Sequence, residues 1–233
     1  MRLRPALVRR RTVLPASGGG HLAAEGGETR VPLLTREDIS HHSRFAWLCL
    51  AALAAMALWF WSLDKVAAAM GTLAALCGCL GLILPPRERM AILPWRLRRL
   101  PRSLDFAPVL GTLLTSPGYG LNWFYGVNPF DEVVHLVNGA LLGAVFAGLV
   151  LADGRPRTIR TMARHGVIFG LCISVLWEGF EMATNLIGNW TDTWTDVLIT
   201  TLGATFATMV SAMGQAGQTA TKPCGTELTQ PPV

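Results

Sequence analysis

The sequence predicts an all-α fold, a polytopic integral membrane helix bundle of about six transmembrane helices. Three observations predict it. Of 233 residues, 51% are hydrophobic and only 15% charged, with a mean hydropathy of +0.39. That balance belongs to membrane proteins rather than soluble domains. Apolar runs long enough to cross about 30 Å of hydrocarbon recur along the chain, and the arginines fall in blocks between those runs.

Residues 1–44 open with MRLRPALVRRR and continue through a Gly/Ala/Glu-rich tract, so they read as a flexible basic cytoplasmic tail. No apolar stretch follows closely enough to make a cleaved signal peptide. The helical domain is expected over 45–213. Its first two spans, Phe45–Leu63 and Val66–Leu84, are uninterrupted apolar sequence. The third, Asp105–Tyr125, is weak or broken, because Pro108, Thr115, Ser116 and Pro117 interrupt it. The fourth, Asp131–Leu151, the fifth, His165–Ile187, and the sixth, Trp194–Met213, each carry polar residues within apolar sequence. Residues 214–233 are polar and read as a disordered cytoplasmic tail. The five cysteines are odd in number and show no paired spacing, which argues against a disulfide framework.

A net charge of +5 and a pI near 9.3 would suit nucleic acid, but the distribution points to membrane lipids and away from nucleic acid. With the amino terminus inside and six crossings, one side holds eight basic residues in 1–44, six in 87–102, four in 155–164 and Lys222. The other side holds Lys65 alone. That asymmetry follows the positive-inside rule. It makes both termini cytoplasmic and turns loops 126–130 and 188–193 outward.

Three polar series step by i, i+3 or i+4: Asp131-x₃-His135-x₂-Asn138, Ser174-x₃-Glu178-x₂-Glu181-x₃-Asn185, and Asp192-x₃-Asp196-x₃-Thr200. On a helix each forms one stripe. Ionisable groups cost roughly 2.5–3.5 kcal/mol each at mid-bilayer, so stripes of them mark a functional site. The expected topology puts Asp131, His135, Glu178, Glu181 and Asp196 near the outer boundary, with Asp192 in the outer loop and Asp196 in the first turn of the sixth span. Five carboxylates would then crowd one histidine, with Lys65 the only base on that side. Like charges so placed need protons, a metal or a cationic ligand between them.

Carboxylates mixed with imidazole suit Mg²⁺, Mn²⁺, Fe²⁺ or Zn²⁺, so Asp131, His135, Glu178, Glu181, Asp192 and Asp196 are the candidate ligands of a divalent metal ion. Such an ion activates water, with Glu178 or Glu181 as general base and His135 as ligand or acid/base group. Lipid head groups or envelope polymers at the outer leaflet are the natural substrates of such a hydrolase or transferase. A bland reading stands beside this one. Acids near helix ends reach interfacial water, Asp192 serves as a cap, and Asp131 as a first-turn charge favoured by the helix dipole. Two other functions compete: a proton- or cation-coupled transporter with the acids as a relay, and a structural or regulatory subunit whose polar groups hold helices together. Against the relay, the fourth span beyond Asn138 reads GALLGAVFAGLVL, with no comparable polar chain. Against the scaffold, interhelical hydrogen bonds average about 0.6 kcal/mol, poor reason to accumulate five acids. Gly139-x₃-Gly143 and Gly203-Ala204 favour close helix packing.

FDEVVHLVNG, WEGFE and DTWTDVLITTLGA resemble the D-x₃-H-x₃-G, E-x₂-E and D-T-x₂-D…G-A motifs of YjdF-like bacterial inner-membrane proteins. A looser similarity to VanZ-like membrane proteins shares the scheme. The resemblance covers roughly 45–213, with its motifs in 131–204. It implies a small multi-helix protein of the bacterial inner membrane and points to Asp131, His135, Glu178, Glu181, Asp192 and Asp196. It implies no settled activity, and it does not account for the long amino-terminal tail.

Overall fold

The computed structural model describes residues 42–125, 128–184 and 190–220, the last five of these by backbone alone. All regular structure among them is helical: α1 (Arg44–Ser62), α2 (Val66–Ile83), the single turn α3 (Trp95–Arg98), α4 (Phe106–Gly120), α5 (Phe130–Leu151), α6 (Ile159–Ala183) and α7 (Trp190–Ala220). Two short 3₁₀ turns, Arg87–Arg89 and Arg102–Leu104, join α2 to α4 around α3. The chain is thus an all-helical protein in which α1, α2, α5, α6 and α7 are long and apolar enough to cross a membrane.

The weak third span is α4. Its 15 residues form a continuous helix of about 22 Å at 1.5 Å per residue, short of a 30 Å hydrocarbon layer. Pro117 sits inside it without ending it, because the Leu121 N–H still donates to the Pro117 carbonyl at 2.8 Å. Thr112, Thr115 and Ser116 turn their hydroxyls back to carbonyls four residues earlier, so these polar side chains are satisfied within the helix.

Many large apolar side chains face outward. Leu58 is 71% exposed, Leu176 68% and Phe206 68%, a distribution that suits lipid as the surrounding solvent. What holds the helices together is therefore close packing and polar contact, not exclusion of water.

Helices α1, α2 and α4 pack through Cys49, Leu50 and Leu53 against Cys79, Ile83 and Val109. Toward the other end Phe60, fully buried, fills the space that a side chain at Gly120 would need. Helices α5, α6 and α7 form a second group with α7 in the middle. The backbone of Thr200 lies on Gly139 and that of Ala204 on Gly143, while Gly203 sits against Leu136 and Ala140. Contacts that rise together in both numbers make α5 and α7 parallel. On the other face of α7, Gly166 meets Thr205 and Thr208, and Gly170 meets Thr201. That helix, α6, is antiparallel. Joined by a short loop, α5 and α6 nevertheless touch little, because α7 wedges between them. Helix α4 links the two groups where Gly111 and Thr115 meet Asn138.

The consequence is a division of charge. The start of α5, the end of α6 and the start of α7 share one end, which carries the acids. The other end carries the arginines of 87–102 and 155–164. There the buried carboxylate of Asp105 is bound by Arg87 at 2.5 Å, by His42 Nδ1 at 2.9 Å, and approached by Arg102 at 3.6 Å. Arg102 also pairs with Glu88 at 2.6 Å and donates to the Ile83 carbonyl. This network ties the ends of α1, α2 and α4. Arg96 donates to the carbonyls of Leu149 and Val150, closing the carboxyl terminus of α5 as a cation does best.

Candidate metal centre

The entry to α5 is set by Asn128, whose side-chain oxygen accepts from the Phe130 N–H at 3.0 Å. Asp131 then falls in the first turn, and His135 one turn on along the same face. Helix α7 begins at Trp190, four residues before the apolar run that defines the expected span. Asp192 therefore lies in the first helical turn rather than in a loop, and Asp196 one turn deeper. The reason is local: the polar WTDT segment starts the helix, with an acid where the dipole favours it.

Parallel packing of α5 on α7 then brings Asp131, His135 and Asp196 together. Each offers one ligand atom, and the three atoms lie within 4.8 Å of one another. His135 Nε2 is 3.5 Å from Asp131 Oδ1 and 3.9 Å from Asp196 Oδ2. Both separations are too long for hydrogen bonds. They suit two donors on one ion, since bonds of about 2.0–2.2 Å at tetrahedral to wider angles put donors at such spacings. His135 Nδ1 lies 3.1 Å from Thr200 Oγ1. In the Nδ1–H tautomer this bond leaves the Nε2 lone pair facing two carboxylates, an arrangement that calls for a proton or a cation between them. Asp196 is buried, and Asp131 and His135 are half-buried.

The other candidates are placed unevenly. Glu178 is buried on α6 near this group, and its Oε1 has no hydrogen-bond partner among the described residues. The same holds for Thr193 Oγ1 on α7 and for Glu132 Oε2 on α5. Glu181 accepts a 2.8 Å bond from Trp177 Nε1 on the exposed side of α6. Asp192 is exposed. Neither belongs to the three-residue group, yet both act electrostatically on Asp196, as do Asp131 and Glu178. Among the described residues no lysine or arginine pairs with Asp131, Glu178, Glu181 or Asp196. Lys65 donates instead to the Gly120 carbonyl at 2.5 Å. Asn138 donates to Thr115 Oγ1 at 3.1 Å, and Ser174 to the Gly170 carbonyl at 2.7 Å, so both serve packing. Asn185 lies outside the described residues.

Two residues escaped the sequence reading of the site, and Thr200, read there only as the third member of the α7 stripe, takes a specific role as the partner of His135. Thr193 is three residues before Asp196 and so shares its face. Glu132 carried no periodic signal, because its carboxyl curls back into the protein from a helix start.

Apolar helices of membrane length, acids with a histidine gathered at one end and arginines at the other, define a polytopic membrane protein with a candidate cation site. The chain belongs to the family described as "Predicted membrane protein (DUF2238)", which it matches over residues 44–216. This is the family of the YjdF-like proteins that its motifs resemble. No curated protein and no solved structure matches the chain.

Proposed function

We propose that this membrane protein binds a divalent cation through Asp131, His135 and Asp196, and acts as a hydrolase or transferase on lipid head groups or envelope polymers. The observation that carries the reading is the His135 ring. Its Nδ1 is engaged by Thr200, while its Nε2 stands 3.5 and 3.9 Å from two carboxylate oxygens. One imidazole with two carboxylates suits Mn²⁺, Fe²⁺ or Zn²⁺ best, with Mg²⁺ less favoured by the nitrogen donor. Such an ion supplies a bound water of lowered pKa or polarises a phosphoryl oxygen.

The chain's own groups complete the chemistry. Glu178, buried on α6 near the group, would take a proton from a nucleophile. His135 holds its ligand nitrogen in one orientation through Thr200. Glu181 and Asp192 add negative charge at the mouth, which raises the local concentration of cations. The acid end faces outward in the bacterial inner membrane, and both termini are cytoplasmic, on the strength of the arginine distribution. A proton- or cation-coupled transporter is less well supported. Beyond the acid group Thr205, Thr208 and Ser211 donate to carbonyls of their own helix, so they form no open relay. A purely structural role leaves Glu178 buried among other acids, with the Thr193 hydroxyl beside it and no cation to balance it among the described residues.

Metal analysis and melting of the detergent-purified protein test the reading. The wild type should carry a divalent ion near stoichiometry and gain about 2.7 kcal/mol at 100 times the dissociation constant. His135→Ala and Asp196→Asn should lose both. A wild type without bound metal, indifferent to every divalent ion, would sink it.

A further inference from the structure

The arginine end holds a cavity of about 780 Å³ that the acid site does not use. It lies beside α3, with Arg98 and Arg99 at its rim and Leu104, Ala144, Gly148 and Leu151 among its walls. From Leu151 to Ala144 along α5 it reaches about 10 Å into the helices. Three arginines against the single carboxylate of Glu88 leave its lining net cationic, and its walls are mostly apolar, with Ser211 and Gln215 among them.

The rim charges are unspent. Arg102 beside them is consumed by Glu88 and by backbone carbonyls. Among the described residues no carboxylate pairs with Arg98 or Arg99. The Arg98 Nε is buried without a hydrogen-bond partner, and Arg99 lies only over the Trp95 ring, at 5.5 Å. A partly buried guanidinium with an idle donor costs free energy unless a ligand completes it. Arg96 meanwhile fastens α3 to the end of α5 through two carbonyls and Asp153, so the cavity has a fixed frame.

From this juxtaposition we propose that the cavity is a binding site for one anionic phospholipid, its phosphate on Arg98 and Arg99 and an acyl chain along Ala144, Gly148 and Leu151. A free phosphate would satisfy the rim and leave the apolar depth empty, and a neutral lipid would leave the arginines unpaired. Basic pockets between helices at a membrane surface are suited to such head groups. Only an amphiphile with a negative head matches both halves.

The full-length protein in a neutral detergent would be titrated with phosphatidylglycerol, with phosphatidylcholine and with inorganic phosphate, reading melting temperature and lipid retention by native mass spectrometry. Phosphatidylglycerol should raise the melting temperature and remain bound as a single molecule, while the other two do neither. Arg98→Gln with Arg99→Gln should weaken that binding roughly thirtyfold, the product of two basic contacts near a lipid head. Ala144→Leu, which fills the apolar depth and leaves the charges, should also abolish retention. The unliganded melting temperature of the arginine variant should stay near that of the wild type, since among the described residues neither side chain makes an ion pair and Arg99 meets only the exposed Trp95 ring. Equal effects of the two lipids, an equal effect of phosphate alone, or undiminished retention by the arginine variant would each overturn the proposal. So would a wild type that ignores phosphatidylglycerol, as happens if the chain's own terminal segment fills the cavity.

Discussion

Thr200 of α7 and His135 of α5 are joined through Oγ1 and Nδ1 at 3.1 Å, so the orientation of the candidate ligand on one helix is decided by a hydroxyl on another. The bond exists because α5 and α7 run parallel with Gly139 seated on the Thr200 backbone.

Thr200→Val keeps the shape and removes the hydroxyl. Its expected effect is a loss of 10- to 100-fold in metal affinity, the usual consequence of deleting a partner that orients a ligating histidine. The melting temperature without metal should move little. Isothermal titration with Mn²⁺ or Zn²⁺ would measure it; unchanged affinity would remove Thr200 from the site.

Glu178 and Glu181 should respond differently to the same substitution. Glu178→Gln alters a buried carboxyl that no cation balances among the described residues and should raise or hardly change stability without metal while cutting its stabilisation by metal. Glu181→Gln touches a carboxyl that Trp177 already satisfies, so its metal response should stay within about threefold, a fraction of a kcal/mol. Identical loss in both variants would mean that the site extends to the exposed side of α6.

Side-specific labelling checks which end is outside. In a cysteine-depleted background, a cysteine at 190 should react with an impermeant maleimide added from outside, and one at 158 should be spared. The reverse pattern would place the acid end in the cytoplasm.

Acid should loosen the arginine end in a defined sense. At Glu88 burial opposes ionisation, but the Arg102 hydrogen bond, with the charges of Arg102 and Arg87, outweighs it and holds the pKa below 4.5. Asp153 is held below 3.8 by the Arg155 N–H, then by Arg157 and Arg96, against some desolvation. Both groups ionise more readily folded than unfolded. Their stabilisation is thus complete above those ordinary values and is lost as pH falls through the lower folded values. Melting curves from about pH 6 to about pH 3 should show the loss, and Glu88→Gln with Asp153→Asn should flatten the slope.

Much of the fold was readable because lipid imposes a simple code. Long apolar runs and blocks of arginine located α1, α2 and α5 closely, while α6 begins at Ile159, six residues before the expected span. The boundaries failed where polar residues begin a helix: Trp190 to Thr193 look like loop and are α7. The site was readable as far as periodicity carries it, since Asp131 with His135, and Asp192 with Asp196, share faces by spacing alone. Which faces meet was not readable. Sequence order suggests that α5 should pack on α6, and only the glycine contacts with Thr200 and Ala204 put α7 between them. That choice brings Asp196 to His135 and leaves Glu181 with Trp177.

The glycine contacts also bear on how far these helices can travel. With the Thr200 and Ala204 carbonyls lodged against Gly139 and Gly143, α7 meshes with α5 like a rack with its pinion locked. Sliding by even one residue would drive neighbouring side chains into backbone. Carriers that expose a site alternately to two sides depend on rocking one group of helices against another. Here the acid group straddles the meshed pair itself, so such a stroke would have to move α5 and α7 as one body and leave their shared residues facing the same way throughout.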